Sequence, residues 1–258
     1  MQRVVITGAA HGLGRALATR FAQAGAAVVV LDVDAAAAAR GADTLVAGGA
    51  EALGLGCDVT SPDACRQAIA EVTKRWGGVD VLINNAGITH VGRVQETGIE
   101  VLRRVLEVNF FGAVNATLAA LPELLAQRGC VAAISSVAGF APLARRAGYV
   151  ASKHALEGFF DTLRSEHLRD GLRVTLARPS YVHTDIGTRA LGPDGRPAAA
   201  DARSDVTHEI EPAVAADQIF RGIEAGKRLV WVGREARLAW WLAHLAPRSY
   251  ERLMLRRQ

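Results

Sequence analysis

Short apolar segments alternate with longer helix-like segments along almost the whole chain. The apolar segments are rich in β-branched residues, as in RVVI at 3–6 and AVVVL at 27–31. They lack the alternation of polar and apolar residues that a strand with one face in water would show. Strands that are apolar on both faces belong to parallel sheets covered by helices on both sides. The alternation therefore predicts an α/β fold with a doubly wound parallel β-sheet.

The same pattern predicts where the elements and domain boundaries lie. It places strands at 3–6, 27–31, 53–57, 79–83, 130–134, 172–177 and 229–232, and helices at 12–24, 35–46, 61–76, 97–127, 147–169 and 212–225. No internal repeat or composition break indicates a second domain, so we expect a single domain over 1–233. Within it, residues 186–211 are rich in Gly, Pro, Ala and charge, which predicts a mobile lid over a substrate.

Composition excludes several classes of protein. Half of the 258 residues are apolar and 22% are charged, which is typical of a folded chain with a sizeable core. The sequence has neither an uninterrupted apolar run long enough for a membrane span nor the features of a signal peptide. The cysteines form no CxxC or Cys/His cluster, so we expect no disulfide, no metal site and a cytoplasmic location.

Positive charge is concentrated at the C-terminal end. The formal net charge is +4, and residues 234–258 hold six arginines and two glutamates, so the rest of the chain is balanced. A balanced body argues against a nucleic-acid-binding protein. Leu238, Trp241, Leu242 and Leu245 recur at helical spacing beside arginines, which predicts a basic amphipathic extension. Such a helix packs on its own domain, on a partner subunit or on a membrane surface. Pro247 divides it, which weakens the membrane interpretation.

A glycine-rich turn, TGAAHGLG at 7–14, lies between the first predicted strand and the first predicted helix. Glycines there let the backbone approach a pyrophosphate at a helix N-terminus, where free N–H groups favour anions. Asp32 ends the next strand, where a carboxylate accepts hydroxyls of an adenosine ribose. A 2′-phosphate 4 Å from this carboxylate would be repelled by about 4 kcal/mol per charge pair at an effective dielectric of 20, which favours NAD over NADP. Nearby His11 and Arg15 work against that preference.

Tyr149 and Lys153 stand four apart in a predicted helix and so share one side of it. A free phenol has a pKa of about 10 and is a poor base at neutral pH. We expect the neighbouring ammonium, together with an oxidised nicotinamide ring, to lower the pKa of Tyr149 and make it an acid/base group. Ser136 follows the fifth strand and could orient a substrate oxygen beside the phenol. Its neighbour Ser135 is the alternative.

Taken in order, the motifs resemble those of the short-chain dehydrogenase/reductase family. They are TGAAHGLG at 7–14, Asp32, CDV at 57–59, NNAG at 84–87, Asn109, ISS at 134–136, YVASK at 149–153 and RPSYVHT at 178–184. The resemblance covers about residues 1–185 and implies a Rossmann fold. It also implies a catalytic tetrad of Asn109, Ser136, Tyr149 and Lys153, with Asn109 holding a water that relays protons from Lys153 to solvent.

The resemblance further implies the cofactor contacts. Asp58 and Val59 would contact the adenine, Asn85 to Gly87 would line the cleft, and Val182 and Thr184 would bind the nicotinamide carboxamide. The full predicted set is Gly8, His11, Gly12, Leu13, Gly14, Asp32, Val33, Asp58, Val59, Asn85, Ala86, Gly87, Tyr149, Lys153, Pro179, Val182 and Thr184. One departure is Ser180, where the family usually has glycine, and we expect it to reshape the pocket floor.

The ending of the chain resembles the hydroxysteroid and retinol dehydrogenase branch. The pocket candidates are mainly apolar: His90, Val91, Phe140, Leu143, Tyr181 and the lid. The sequence therefore predicts an NAD-dependent oxidoreductase that interconverts a hydrophobic secondary alcohol and its ketone. The alternatives are a 3-oxoacyl-type reductase using NADPH and a non-catalytic nucleotide-binding protein of the same fold. The resemblance implies a homodimer or homotetramer built through the helices at 97–127 and 147–169. For His183 we expect a structural or surface role.

Overall fold

A computed structural model describes residues 1–198 and 209–255 of the chain. Seven strands form one parallel sheet in the order β3-β2-β1-β4-β5-β6-β7. Their bounds are β1 Arg3–Thr7, β2 Ala27–Asp32, β3 Ala52–Gly56, β4 Val81–Asn84, β5 Cys130–Ile134, β6 Arg173–Pro179 and β7 Leu229–Val232. The order reverses direction between β1 and β4, so the crevice at their carboxyl ends is the place where a doubly wound fold binds ligands. The predicted fold class is confirmed.

Helices cover both faces of the sheet. Their bounds are α1 Gly12–Gln23, α2 Ala35–Ala47, α3 Pro62–Trp76, α4 Ile99–Leu106, α5 Gly112–Ala126, α6 Ala147–Glu166, α7 Pro212–Glu224, α8 Arg234–Leu245 and α9 Pro247–Leu255. One core cluster packs α1, α2 and α7 on one face, with Leu17, Phe21 and Ile219 fully buried. The other packs α3, α5 and α6 on the opposite face, with Leu124 and Phe160 fully buried.

Local sequence accounts for two of the helix starts. The Ser61 side chain accepts a hydrogen bond from the backbone N–H of Ala64 at 3.2 Å, and Pro62 occupies the first turn of α3. The Asp34 carboxylate accepts from the backbone N–H of Ala37 at 2.9 Å and caps α2. The hydrogen bond from Ala37 lowers the pKa of Asp34, because it stabilises the ionised form.

The helix predicted over 97–127 is interrupted by one π-helical turn. Helix α4 runs into a π-helix at Glu107–Phe111, and α5 continues from Gly112. By length and composition alone, Ile99–Ala126 is apolar enough to cross a membrane. It instead lies along the sheet, with Ala116, Ala120 and Leu124 in the core, so its apolar character is that of a covering helix.

The segment predicted to be a lid begins after β6. Short bridges pair Leu191 with His90 and with Pro197, and these tie the first part of the segment to the body of the domain. Ile210, near its other end, pairs with Val182. Residues 199–208 of the predicted lid lie outside the described part of the chain.

The basic extension forms two helices, α8 and α9, divided at Pro247 as the sequence predicted. Ala236, Tyr250 and Met254 are buried in a small cluster with Val137 and Ala141, which lie just after β5. One face of the helix pair therefore packs on the domain, next to the loop that carries Ser136.

Candidate active site

The glycine-rich turn needs glycine for steric reasons. It joins β1 to α1, and Gly8 and Gly12 have φ values of +62° and +51°, in the left-handed region. A Cβ atom on Gly14 would lie 2.2 Å from the carbonyl oxygen of Gly8 and 2.5 Å from Nδ2 of Asn85. Helix α1 therefore begins closer to the strand than any other residue would permit.

The N-terminus of α1 is free to bind an anion. Within the described residues, the side chain of His11, at the N-cap position, makes no capping hydrogen bond, and the first turn carries no acidic residue. The free N–H groups and the helix dipole favour a negatively charged ligand at such an end. This cradle fits the pyrophosphate predicted from the sequence.

Asp32 lies beside this turn, as predicted. Its Oδ2 accepts from the backbone N–H of Ala10 at 3.1 Å, and its Oδ1 accepts from that of Asp34 at 3.2 Å. These bonds hold the carboxylate at the carboxyl end of β2, in reach of a sugar bound along the turn. The next residue, Val33, is 74% exposed on the same rim.

The predicted adenine contacts follow β3. The backbone N–H and the hydroxyl of Thr60 donate to Oδ1 of Asp58 at 2.9 and 2.8 Å and lower its pKa, because they stabilise the carboxylate. The backbone N–H of Cys57 donates to the carbonyl of Asp32 at 2.8 Å. The Asp32 and Asp58–Val59 segments are thus adjacent at one edge of the crevice.

The Asn85 side chain is hydrogen-bonded to the glycine-rich turn. Its Nδ2 donates to the carbonyls of Thr7 and Gly8, both at 3.0 Å. The Thr7 hydroxyl accepts from the backbone N–H groups of Asn85 and Ala86, also at 3.0 Å. The Asn85 side chain therefore connects β1 to the segment after β4, which continues through Ala86 and Gly87.

The residues after β6 reach the same turn. Pro179 ends β6, Val182 pairs with Ile210, and a Cβ on Gly12 would lie 3.2 Å from the Thr184 side chain. Thr184 is thereby next to the glycine-rich turn, and its contact with the nicotinamide carboxamide stays a prediction. The His183 ring contacts the Glu209 carboxylate at the surface, in line with the surface role expected for it.

Ser136, Tyr149 and Lys153 meet at the carboxyl end of β5. The Lys153 ammonium lies 5.7 Å from the centre of the Tyr149 ring and donates to the carbonyl of Ile134 at 2.8 Å. The Ser136 hydroxyl is near enough to the Tyr149 phenol to favour its ionised form. The hydroxyl of Ser135 instead donates to the buried carboxylate of Glu157 at 2.6 Å. Of the two serines, Ser136 is the one beside the phenol.

The pKa of Tyr149 moves opposite to the direction predicted from the sequence. Burial raises it above its ordinary value, and the nearby Ser136 hydroxyl offsets only part of that effect. Burial also lowers the pKa of Lys153 to about 8. Both shifts have one cause, because each group is held away from water and its charged form is disfavoured. In the chain alone, burial outweighs any effect of Lys153 on the phenol, and the predicted lowering, which included an oxidised nicotinamide ring, stays a prediction.

Asn109 lies in the π-helical turn and is buried. Its Oδ1 accepts from the backbone N–H of Ile88 at 2.8 Å, and its Nδ2 donates to the carbonyl of Ile88 at 2.9 Å and to the hydroxyl of Ser152 at 2.9 Å. The side chain thus joins the π-turn to the segment after β4 and to α6. A water held by Asn109 stays a prediction.

Two of the residues predicted for the pocket are buried, and one of them supports a helix. Val91 is buried, and so is His90, whose Nε2 accepts from the backbone N–H of Gly148 at 2.9 Å in the first turn of α6. Ser180 was expected to reshape the pocket floor. A Cβ on Gly233 would lie 2.6 Å from the Ser180 hydroxyl, so this hydroxyl lies near the end of β7, and the effect on the pocket floor stays a prediction.

Sequence reasoning missed the buried partners beneath the site. Arg178 on β6 forms an ion pair with Glu157 on α6, with Nη2 to Oε2 at 2.6 Å. The spacing of Glu157 from Lys153, four residues along a helix, was an available signal. Arg178 gave none, because it sits in an apolar strand. In the described part of the chain, no group of three His, Cys, Asp or Glu side chains could hold a metal ion.

The model of the short chain dehydrogenase family matches residues 2–192, which is most of the chain and includes the turn, the crevice and the Ser136–Tyr149–Lys153 group. The chain belongs to the short-chain dehydrogenase family. It is accordingly an oxidoreductase that acts on CH–OH groups.

Relatives agree with that membership over nearly the whole length. The chain is 37% identical over 261 residues to a dehydrogenase/reductase SDR family member 7B of Bos taurus, with 98% of this chain and 80% of the relative covered. It is 34% identical to the putative oxidoreductase SadH of Mycobacterium tuberculosis, with 97% and 92% covered. A crystal structure of a short-chain dehydrogenase/reductase from Burkholderia phymatum in complex with NAD has 26% identity and a TM-score of 0.84, with 100% and 95% covered.

Proposed function

We propose that the protein is an NAD-dependent oxidoreductase that interconverts a hydrophobic secondary alcohol and its ketone, with Tyr149 as the acid/base group. The observation that carries the proposal is the placement of a phenol, a hydroxyl and an ammonium at one end of β5, beside a glycine-rich turn. Tyr149 contacts Ser136, and the Lys153 ammonium lies 5.7 Å from the phenol ring.

The residues present fit a nicotinamide dinucleotide. The close approach of Gly14 to Gly8 leaves a backbone cradle at an uncapped helix N-terminus, which suits a pyrophosphate. Asp32 would accept the ribose hydroxyls, and its charge disfavours a 2′-phosphate, which supports NAD over NADP. Ala86, Gly87, Val182 and Thr184 would line the rest of the cleft. When bound, the dinucleotide supplies the hydride acceptor for alcohol oxidation or the hydride donor for ketone reduction.

The chain's own groups would handle the proton. During oxidation Tyr149 takes the hydroxyl proton of the alcohol at its phenolic oxygen, and during reduction it returns a proton to the carbonyl oxygen. Ser136 holds that oxygen beside the phenol. Lys153 places a positive charge near the ring, and this favours the phenolate that proton removal requires.

The reaction is tested with NAD and a panel of steroid, aryl and aliphatic secondary alcohols, read by the absorbance of the reduced nicotinamide. We expect turnover with apolar alcohols and its loss, by about 1,000-fold or more, in Tyr149→Phe, which keeps NAD affinity. Turnover retained in Tyr149→Phe would remove the phenol from the mechanism. No reduced nicotinamide with any substrate would favour a non-catalytic nucleotide-binding protein, and a preference for NADPH with 3-oxoacyl substrates would favour the reductase alternative.

An apolar substrate fits the walls next to Ser136. Phe140 and Leu143 pack with Trp231 beside the small cluster under α8, so the loop after β5 presents apolar surface at this end of the sheet. We therefore expect bulky apolar alcohols to be better substrates than small polar ones.

A second copy of the chain would associate through the long helices. Phe111 and Leu118, in the π-turn and in α5, are 45% and 57% exposed, although each is a large apolar side chain. Burying them against a partner copy would remove that surface from water. Light scattering of Leu118→Glu tests this association, and an unchanged oligomer would place the interface elsewhere.

The outer face of α8 would contact an anionic membrane surface. Leu238, Trp241 and Leu245 are 69%, 47% and 74% exposed, and Arg234 and Arg237 are exposed on the same arc of the helix. The opposite face is occupied by the domain through Ala236. Exposed apolar residues flanked by arginines match the interface of an acidic bilayer. A cytoplasmic location for the protein is part of the proposal and agrees with the free state of its cysteines.

A further inference from the structure

A buried carboxylate that the proposed chemistry does not use lies under the site. Glu157 is on α6, one helical turn beyond Lys153, and only 7% of it is exposed. Oε1 accepts from the Ser135 hydroxyl at 2.6 Å and from Nε of Arg178 at 2.9 Å, and Oε2 accepts from Nη2 of Arg178 at 2.6 Å. Both oxygens of the buried carboxylate are therefore bound.

These bonds join the three segments that carry the candidate catalytic groups. Ser135 precedes Ser136 at the end of β5, Arg178 is the next-to-last residue of β6, and Glu157 is on the helix of Tyr149 and Lys153. The loop after Ser136 closes over the junction, because a Cβ on Gly139 would lie 2.3 Å from the Ser135 hydroxyl and 2.4 Å from Oε1 of Glu157. Only glycine permits this approach.

Aromatic rings contact the Arg178 guanidinium. The Arg178 guanidinium lies 5.1 Å from the centre of the Phe140 ring and 5.0 Å from that of Trp231. Cation–π contacts of this kind fix the orientation of an arginine. The guanidinium therefore presents its fork to Glu157 and fixes the carboxylate in turn.

The same carboxylate sets the electrostatic surroundings of Lys153. The lysine donates to a neutral group, the carbonyl of Ile134 at the end of β5. The titratable groups that bear on its charge are Tyr149, whose ring centre is 5.7 Å away, and Glu157, whose ion-pair partner is Arg178 on β6. Burial lowers the pKa of Lys153 to about 8, and Glu157 opposes that effect, because its negative charge favours the ammonium.

We propose that Glu157 is a positioning residue that acts through its neighbours: it holds Ser136 and the Tyr149 helix in register through Ser135 and Arg178, and it keeps Lys153 charged. The activity part of this inference rests on the proposed function. The charge part does not, because the ionisation of Lys153 can be measured without turnover.

A buried ion pair with a purely structural role is the competing explanation. Such a pair would alter stability when broken and leave the ionisation of Lys153 unchanged. The titration of Lys153 is therefore the readout that separates the two explanations.

The chain offers a direct measurement, because it contains lysine only at 74, 153 and 227. Trace labelling with acetic anhydride over a range of pH, read by mass spectrometry, gives the ionisation of each lysine. Lys74 and Lys227 are exposed and serve as internal references. In Glu157→Gln, a near-isosteric change that keeps hydrogen-bonding capacity, we expect the labelling midpoint of Lys153 to fall by about one pH unit or more. An unshifted midpoint in folded Glu157→Gln overturns the charge part.

Asp161→Asn is the matched control. Asp161 is on the same helix, one turn farther on, and its carboxylate pairs with Arg164 and Arg228 at the surface. We expect the midpoint of Lys153 to stay at its wild-type value in this variant. An equal shift in both variants would show a general effect of charge on α6 and would overturn the assignment to Glu157.

Ser135→Ala tests the positioning part and serves even if Glu157→Gln does not fold. It removes one hydrogen bond to Glu157 and keeps the carboxylate charge. We expect an unchanged Lys153 midpoint, an unchanged KM for NAD and a kcat about 3- to 30-fold lower, because Ser136 loses its anchor. A wild-type kcat in this variant overturns the positioning part. An inactive wild-type protein would count against the proposed function and leave the Lys153 titration as an independent result.

Discussion

At the residue scale, the site combines a phenol and an ammonium that are both held out of water. Lys153 is 5% exposed, and within the described part of the chain its ammonium donates to a neutral carbonyl, that of Ile134. The protein thus destabilises the charged form that the proposed chemistry needs. Buried groups with shifted pKa values are typical of functional sites, where activity comes at a cost in folding stability.

Replacing Lys153 with methionine should separate the contribution of the ammonium to activity from its cost to stability. Because burial lowers the pKa of Lys153 from 10.5 to about 8, the folded state disfavours its ammonium, and that cost is fully present below pH 8 and vanishes as pH rises to 10.5. We expect Lys153→Met to abolish turnover and to raise the free energy of unfolding by about 1–3 kcal/mol at pH 7. Urea unfolding at pH 7 and pH 10 measures the gain, which should shrink at the higher pH. A variant less stable than wild type at pH 7 would contradict this account.

Residue types and spacing were enough to find this group, but its electrostatics were not. Tyr149, Lys153 and Ser136 could be predicted because helical periodicity and the end of a strand determine which side chains meet. The direction in which the pKa of Tyr149 shifts could not be predicted, because it depends on how much water the folded chain excludes. Glu157 and Arg178 were missed for a related reason, since an ion pair between a helix and a strand has no signature in local sequence.

At the element scale, the ends of helices and strands were predictable where side chains determine them. Ser61 and Pro62 mark the start of α3, and Pro247 divides the C-terminal helices as expected. Strand β4 begins at Val81 instead of Val79. Asp80, between them, pairs through both carboxylate oxygens with Arg3, at 2.7 and 2.8 Å. The π-turn at Asn109 also gave no sequence signal, because it needs only one residue more per turn than an α-helix.

The start of α6 depends on a residue far away in sequence. His90 accepts a hydrogen bond from Gly148 in the first turn of the helix that carries Tyr149 and Lys153. Burial and the nearby Arg146 guanidinium lower the pKa of His90 below 6.5. Its folded form resists protonation, so stability falls as pH drops below 6.5. The helix that carries the catalytic candidates is thereby made sensitive to acid.

His90→Gln should weaken that dependence. At pH 7 we expect the free energy of unfolding of the variant to be about 1–2 kcal/mol below that of wild type, because Gly148 loses a well-placed acceptor. Between pH 6.5 and pH 5 we expect the free energy of unfolding to fall less in the variant than in wild type. Urea unfolding at both pH values makes the comparison. His154→Gln is the control, since His154 is exposed on the same helix. Parallel pH profiles for wild type and His90→Gln would show that His90 is not the titrating group.

At the scale of the whole molecule, the doubly wound sheet brings distant motifs to one crevice. The turn after β1, the carboxylate after β2 and the serine after β5 all lie at carboxyl ends of parallel strands, which share one edge of the sheet. This is why an ordered set of short motifs predicted the site. The extension after β7 follows no such rule, and its packing beside the Ser136 loop became evident only from the structure.

That packing leaves the outer face of α8 available to a membrane, close to the candidate site. We expect the protein to co-sediment with vesicles containing phosphatidylglycerol and to be released by salt, because arginines supply part of the attraction. Leu238→Glu with Trp241→Glu should reduce the bound fraction about 10-fold or more, since both side chains are exposed. Val46→Glu, at a 52% exposed position on α2, is the matched control. A different result would contradict the membrane contact: vesicles bind neither the wild type nor the double variant, and only the wild type is oligomeric. The face would then be an interface between two copies of the chain.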